Sequence, residues 1–563
     1  MIKKSALTLG TTLFLIISPL AKSAPNNKEL KIGISQEFEN LNPMIMTMSA
    51  TAYIFSMVGR TLTTLDSNLK WVPQLAKEIP SLEKGTAKIV EQNGKKKVVV
   101  QWEILSTATW GDGVPVTCQD FAFSRTVALS PNVSIGEKEL YTKVEKIEWD
   151  PKSPKKCTFT YDKARWDFVD MARFFPLPKH IEEPLFLKYS GKKEGYEKNS
   201  LYVKNPTNPG LYNGPYKITE VKLGDHVTLE PNPQWKGVKP KIQKIIVKLI
   251  PNTGTLEANL RSGQIDMIGT LGLLAMDQAL NLEKKVKSDG LDYIVHFTPS
   301  ITYEHIDLNL DNPILSDVRV RQALLFAINR EEMVQALFEG KQQVAEHLIS
   351  PKDPWYSSDP KKIKLYRYSR REAQKLLDAA GWVPGADGIR VKNGKRLSLT
   401  FMTTAGNKSR ELVQVYLQEQ WKQAGIDVTI KNEPARVYFS ETTKKRKFPA
   451  LAMYAWVSTP ENNPKSLLAS KNIPTEKNGW SGQNYPGWSN KEVDQTCEAL
   501  DIEFNANQRK LLAEKILRNY TEEVPVIPLF YRSDTSVVPP GLKNYRPTGH
   551  QYSETNEIEH WTF

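Results

Sequence analysis

Capped helices and short apolar strands succeed one another along this chain, and that alternation restricts it to α/β lobes. Ser369-Arg-Arg-Glu372 is a capping box: the Ser oxygen accepts from a first-turn amide while Glu372 reaches back. Ala373, Leu376, Leu377 and Ala380 recur at helical spacing, and Gly381 suits the left-handed terminal conformation. Asn329 and Glu332 start a second helix that ends near Gly340. Ser409 opens a third, whose Val413, Leu417 and Trp421 share a face before Gly425. Between the helices, 242–250, 397–402 and 426–430 are short β-branched or alternating runs, and Asn393-Gly394 reads as a hairpin turn. With 563 residues, the chain exceeds what one hydrophobic core serves, so two or more lobes are expected.

The first residues set the compartment. Lys3 and Lys4 precede an apolar run over 6–20, and small residues follow at Ala21, Ser23 and Ala24. This is the three-part pattern of a secretory signal peptide, with cleavage expected after Ser23. No cysteine stands at the new terminus to carry a lipid, so the expected product is soluble and periplasmic. The formal charge of +13 loses Lys3, Lys4 and Lys22 with the leader and falls to +10. Its remaining charges are dispersed, apart from Lys95–Lys97 and the Lys444–Lys447 run. Such runs read first as solvated loops, and no nucleic-acid-binding signature accompanies them, so no nucleic-acid partner is expected.

Several chemistries are missing from the sequence. The seven histidines are scattered, without His-Glu-x-x-His or Cys-x-x-Cys, so no metal site or other cofactor is expected. No phosphate-cradling glycine loop and no G-x-S-x-G elbow occurs. A secreted hydrolase with a dispersed triad stays as the minor alternative, and no catalytic residue is assigned.

Four ordered segments carry a resemblance. They are Trp110-Gly-Asp-Gly-Val-Pro-Val-Thr-Cys-Gln-Asp120, Asn213-Gly-Pro-Tyr216 with Asn232-Pro-Gln-Trp235, 260–267, and 315–330 with Arg319 and Arg321 at a helix start. Together they resemble the periplasmic solute-binding proteins of the peptide-transport class, the oligopeptide- and dipeptide-binding family of ABC importers. In physical terms Thr117 caps a helix carrying Asp120 in its first turn. Arg319 and Arg321 read first as ties between loops.

The resemblance implies an α/β, two-lobed fold with a hinge and an inserted subdomain. Lobe I would comprise 24–62, 213–298 and 532–563, the insertion 63–212, and lobe II 299–531. It also implies a monomeric receptor that closes on its ligand and docks on ABC permease subunits. Cys118 and Cys157 then share a subdomain, as a disulfide or as two thiols, and Cys497 lies elsewhere as a buried thiol.

In peptide-binding members an Asp shortly after a lobe II Trp holds the ligand's α-amino group. Here Trp456 matches the Trp, but the Asp position reads Thr459, with Glu461 as the candidate substitute. Thr cannot supply the charge that offsets burial of an ammonium group. That departure admits a non-peptide solute, such as an oligosaccharide or cell-wall fragment, beside a peptide or peptide-like one. Tyr53, Arg436, Tyr438, Tyr485 and Trp488 complete the candidate ligand-binding set. Each ring reads equally as a stacking platform or as core filler, and Arg436 as an anion clamp or an internally paired cation.

Overall fold

Two long antiparallel strands, Ile294–Leu308 and Val526–Val538, organise the molecule. The structure is a computed structural model describing residues 28–563, except 39, 46, 47, 136, 137, 273, 479 and the Arg436 side chain. The leader and its cleavage position therefore lie outside the described residues. No described helix is long and apolar enough to cross a membrane.

The two strands sit at the centre of one eleven-stranded mixed sheet. On one side come Leu451–Val457, Ser398–Met402 and Asp427–Ile430; on the other come Met267–Ile268, Glu29–Ile34, Lys244–Leu249, His226–Pro231 and Tyr216–Lys222. Each flank reads as a lobe, and the central pair belongs to both. Its ladder runs from Ile294↔Val538 to Pro299↔Ser533, is interrupted, and resumes at Tyr303↔Tyr531. Such an irregularity frees ladder groups and bends the strands, which is where two lobes can turn against one another. Near it, Gly549 has φ +68°, and a Cβ there would stand 2.2 Å from the Pro299 carbonyl oxygen. Only glycine meets both demands.

The elements follow from their sequences. Ser369 accepts from the Glu372 amide at 3.3 Å and starts helix Arg370–Ala379. Asn393 and Gly394, at φ 51° and 74°, turn the chain between Arg390–Lys392 and Lys395–Arg396 as a two-residue hairpin requires. The third helix corrects the sequence reading. Lys408–Gln423 is capped by Asn407, whose side chain accepts from the Arg410 amide at 3.1 Å, two residues before the expected Ser409.

The segment 63–212 holds its own four-stranded sheet, of Ala87–Gln92, Lys95–Glu103, Lys156–Tyr161 and Val144–Trp149. Its core is nevertheless continuous with the large sheet: Val98, Phe121 and Phe159 join one buried cluster with Leu30, Ile32 and Ile245. Helix Cys118–Leu129 packs on it, and Asp120 accepts from the Thr117 amide at 2.8 Å. Cys118 and Cys157 are joined as a disulfide, Cα–Cα 5.6 Å, while Cys497 is a buried free thiol. The Arg321 guanidinium ties loops together, donating to the carbonyls of Glu523, Val524, Leu315 and Ser316 at 2.8–3.1 Å.

Candidate functional site

The interruption in the central ladder opens onto a cleft of three adjoining cavities. The first, about 350 Å³, is lined by Glu304, Arg410, Arg532 and Asp534 together with Thr270 and Leu274. The second, about 380 Å³, shares Thr270 and Asp534 with the first and adds Ser49, Arg173, Val457 and His550. A third, about 610 Å³, shares Arg173 with the second and runs between the inserted segment and Thr459–Asn463. Individually these volumes fall in the range of small-molecule sites; in line they suit an elongated ligand.

Polar groups brought in from both flanks line the cleft. Glu304, 1% exposed, accepts from Arg410 Nε at 2.7 Å and from Arg532 Nε and Nη2 at 2.8 and 2.5 Å. Burial alone would raise its carboxyl, but Arg532 and Arg410 outweigh this and hold it below the ordinary carboxylate range. For Asp534 the balance is reversed: burial, and then the nearby Glu554 carboxylate, push it up to about 6. Arg532, Lys352 and a hydrogen bond from Ser300 lower its carboxyl but do not outweigh these opposing causes. In the largest cavity Asp170 is likewise pushed up to about 6 by burial.

Across this largest cavity residues 163–166 meet side chains from 355–509. Trp166 lies 6.0 Å from Trp355, with the Arg509 guanidinium 4.2 Å from its ring centroid, and Lys163 Nζ lies 4.0 Å from an Asp501 carboxylate oxygen. These contacts span the cleft.

The residues predicted from the sequence divide sharply. Thr459 and Glu461 line the largest cavity. Glu461 does not take over the missing Asp position: its carboxylate lies 3.6 Å from Arg509, and its amide donates to Asp353 at 2.8 Å. Trp456 and Tyr485 are half-buried rings 6.0 Å apart, and Trp456 borders a small recess beside Tyr303 and His305.

Three of the predicted rings belong to cores. Tyr53 is fully buried and donates to Glu554 Oε1 at 3.1 Å. Tyr438 is fully buried with its hydroxyl at 3.1 Å from the Met453 carbonyl. Trp488, 2% exposed, donates through Nε1 to Glu523 at 2.6 Å. Each has committed its polar group to the fold, so none offers a ligand surface. The Arg436 side chain lies outside the described residues. Sequence reasoning missed Glu304, Arg410, Arg532 and Asp534. A signal existed: Arg532 and Asp534 are the two charges in strand 526–538, which is apolar over 526–531 and at 537–538.

A mixed sheet shared by two lobes, with a polar cleft at the crossing strands, defines a two-lobed solute receptor. Residues 70–475 match the bacterial extracellular solute-binding proteins, family 5 middle region, and the chain belongs to that family. Oligopeptide-binding protein AppA of Bacillus subtilis is 26% identical over 539 residues, covering 95% of this chain and 91% of that protein. The nickel-binding periplasmic protein of Escherichia coli is 27% identical over 337 residues, 59% of this chain and 61% of that one. Among solved structures, the oligopeptide-binding protein of Thermus thermophilus, complexed with a pentapeptide, superposes with TM-score 0.71 at 28% identity, covering 96% of this chain and 97% of that one.

Proposed function

We propose that the chain is the receptor of an ATP-driven importer, taking a peptide or peptide-like solute into the interlobe cleft and presenting it to membrane permease subunits. The observation that carries this reading is the line of three cavities at the crossing strands, walled by polar groups from both flanks. Its extent suits a chain-like ligand, and the named oligopeptide binders share the fold over nearly the whole length. Closure about the ladder interruption would bring Trp166 onto Trp355 and Arg509, so that ligand binding and lobe closure stabilise each other. The receptor works as a soluble monomer outside the cytoplasm after loss of its leader, and catalyses no reaction.

A second reading keeps the receptor role but replaces the ligand with an oligosaccharide or cell-wall fragment. Thr459, standing where a carboxylate would hold a peptide's amino group, favours it.

Native mass spectrometry of gently purified exported protein, followed by denaturation, tests both readings. Release of a stoichiometric peptide supports the first, and a released carbohydrate selects the second. Turnover of any substrate offered, without ligand-dependent thermal stabilisation, refutes the receptor role.

A further inference from the structure

The strand Val526–Val538 is buried along its length except at Arg532, Ser533 and Asp534. Alternation along a strand puts Arg532 and Asp534 on one face, and both line the first cavity. Arg532 is turned to Glu304, which it meets through Nε and Nη2. Lys352, the other cation near Asp534, donates its Nζ proton to the Thr548 carbonyl at 2.6 Å. Glu554, on the far side, is satisfied by Tyr53 and by the amide and hydroxyl of Thr270, at 2.8–3.2 Å. Among the described residues no cation stands within ion-pairing distance of Asp534, and the Ser300 hydroxyl is the hydrogen-bonding side chain beside it.

A half-buried carboxylate with no cation paired to it is costly unless something supplies the charge. Asp534 sits where the first and second cavities meet, so a ligand lying along the cleft passes it. An ammonium suits this position, being a compact point charge that brings its own donors. We propose that Asp534 binds the ligand's primary ammonium group, supplying from the central strand the charge that Thr459 lacks. The proposal rests on the peptide reading above and adds where the amino terminus is held.

The test uses the full-length mature protein and two probes: a mixture of random pentapeptides lacking lysine and arginine, with free amino termini, and the same mixture N-acetylated. Equilibrium dialysis with mass-spectrometric counting measures retention of each. Wild type is expected to prefer the free-amine mixture by about tenfold or more, the scale of one hydrogen bond to a charged group. Asp534→Asn should lower free-amine retention about ten- to hundredfold and leave acetylated retention unchanged. Asp534→Glu should restore part of the preference. Circular dichroism checks the fold, and Asp534→Ser gives a second neutral variant should the amide disturb it. Free-amine preference that survives both neutral variants overturns the assignment and leaves the peptide reading standing. Retention of neither mixture by wild type overturns both.

Discussion

Replacing Glu304 by Gln gives the sharpest test of the charge arrangement in the cleft wall. The substitution keeps the shape and removes one charge from a cluster in which Glu304 is 1% and Arg410 9% exposed. Arg410 would keep its bond to Thr404 Oγ1 at 3.0 Å but lose the carboxylate that balances it. Stranding a buried charge in this way costs about 3–5 kcal/mol. Arg532 adds little to that figure, because its side chain is 37% exposed and water screens it. Urea unfolding should therefore show a lower midpoint at unchanged slope. A second substitution, Arg410→Met added to Glu304→Gln, removes the stranded charge and should recover part of the loss. The sign with pH follows from the depressed carboxyl. Its contribution is complete above the unfolded glutamate value of about 4.3 and is lost as pH falls through the lower folded value, so the wild-type advantage narrows in acid. A loss below about 1 kcal/mol at pH 7 would refute the view that Glu304 neutralises a buried guanidinium.

Four further outcomes can be checked. Trp166→Ala removes the ring lying between Trp355 and Arg509; it should weaken binding of the co-purified ligand by about 0.5–2 kcal/mol in calorimetry and enlarge the radius of gyration in small-angle scattering, and unchanged values would show that this contact does not hold the lobes shut. Reducing Cys118–Cys157, which spans 39 residues, should cost about 4 kcal/mol on the loop-entropy relation, read as a midpoint shift with and without reductant. Gly549→Ala should lower stability by more than about 1 kcal/mol, because it combines a positive φ with backbone contact at Pro299; a neutral effect would mean that the segment moves freely aside. His550 is held down to about 4 by burial, so it favours folding fully above about 6.5 and progressively less as pH falls toward 4; His550→Asn should flatten the acid limb by up to about 1.4 kcal/mol per pH unit.

Local signals in the sequence were reliable where the chemistry is local. The cap acceptor at Ser369, the Asp120 carboxylate on the Thr117 amide, and the Asn393-Gly394 turn depend on neighbours within four residues and are found where the sequence places them. Glu372, however, does not reach back: the Ser369 amide donates to the Phe326 carbonyl at 2.9 Å. The helix start near Ser409 was misplaced because Asn407 offers an equally good acceptor two residues earlier, and only the backbone geometry selects between them. The lobed fold was legible through four dispersed motifs. Pocket residues were much less so. Tyr53, Tyr438 and Trp488 are chemically suited to a cleft, yet their surroundings are set by segments distant in the chain, hundreds of residues away for Tyr53 and Glu554. A ring's identity says nothing about which way it faces. Arg532 and Asp534 were missed as well, because their place in a largely buried strand becomes visible only once the sheet is assembled.

The shared sheet also constrains how the chain can be made. The first strand, Glu29–Ile34, pairs with Lys244–Leu249 and Met267–Ile268, so its partners are synthesised more than 200 residues later. Met267–Ile268 in turn pairs with Val526–Val538, close to the C-terminus. A nascent chain therefore has no complete sheet to fold into until almost all of it has emerged. The local sheet of 87–161 has all its strands early, whereas the large sheet that positions the cleft is completed last, so the long-range pairing sets the slow step of folding.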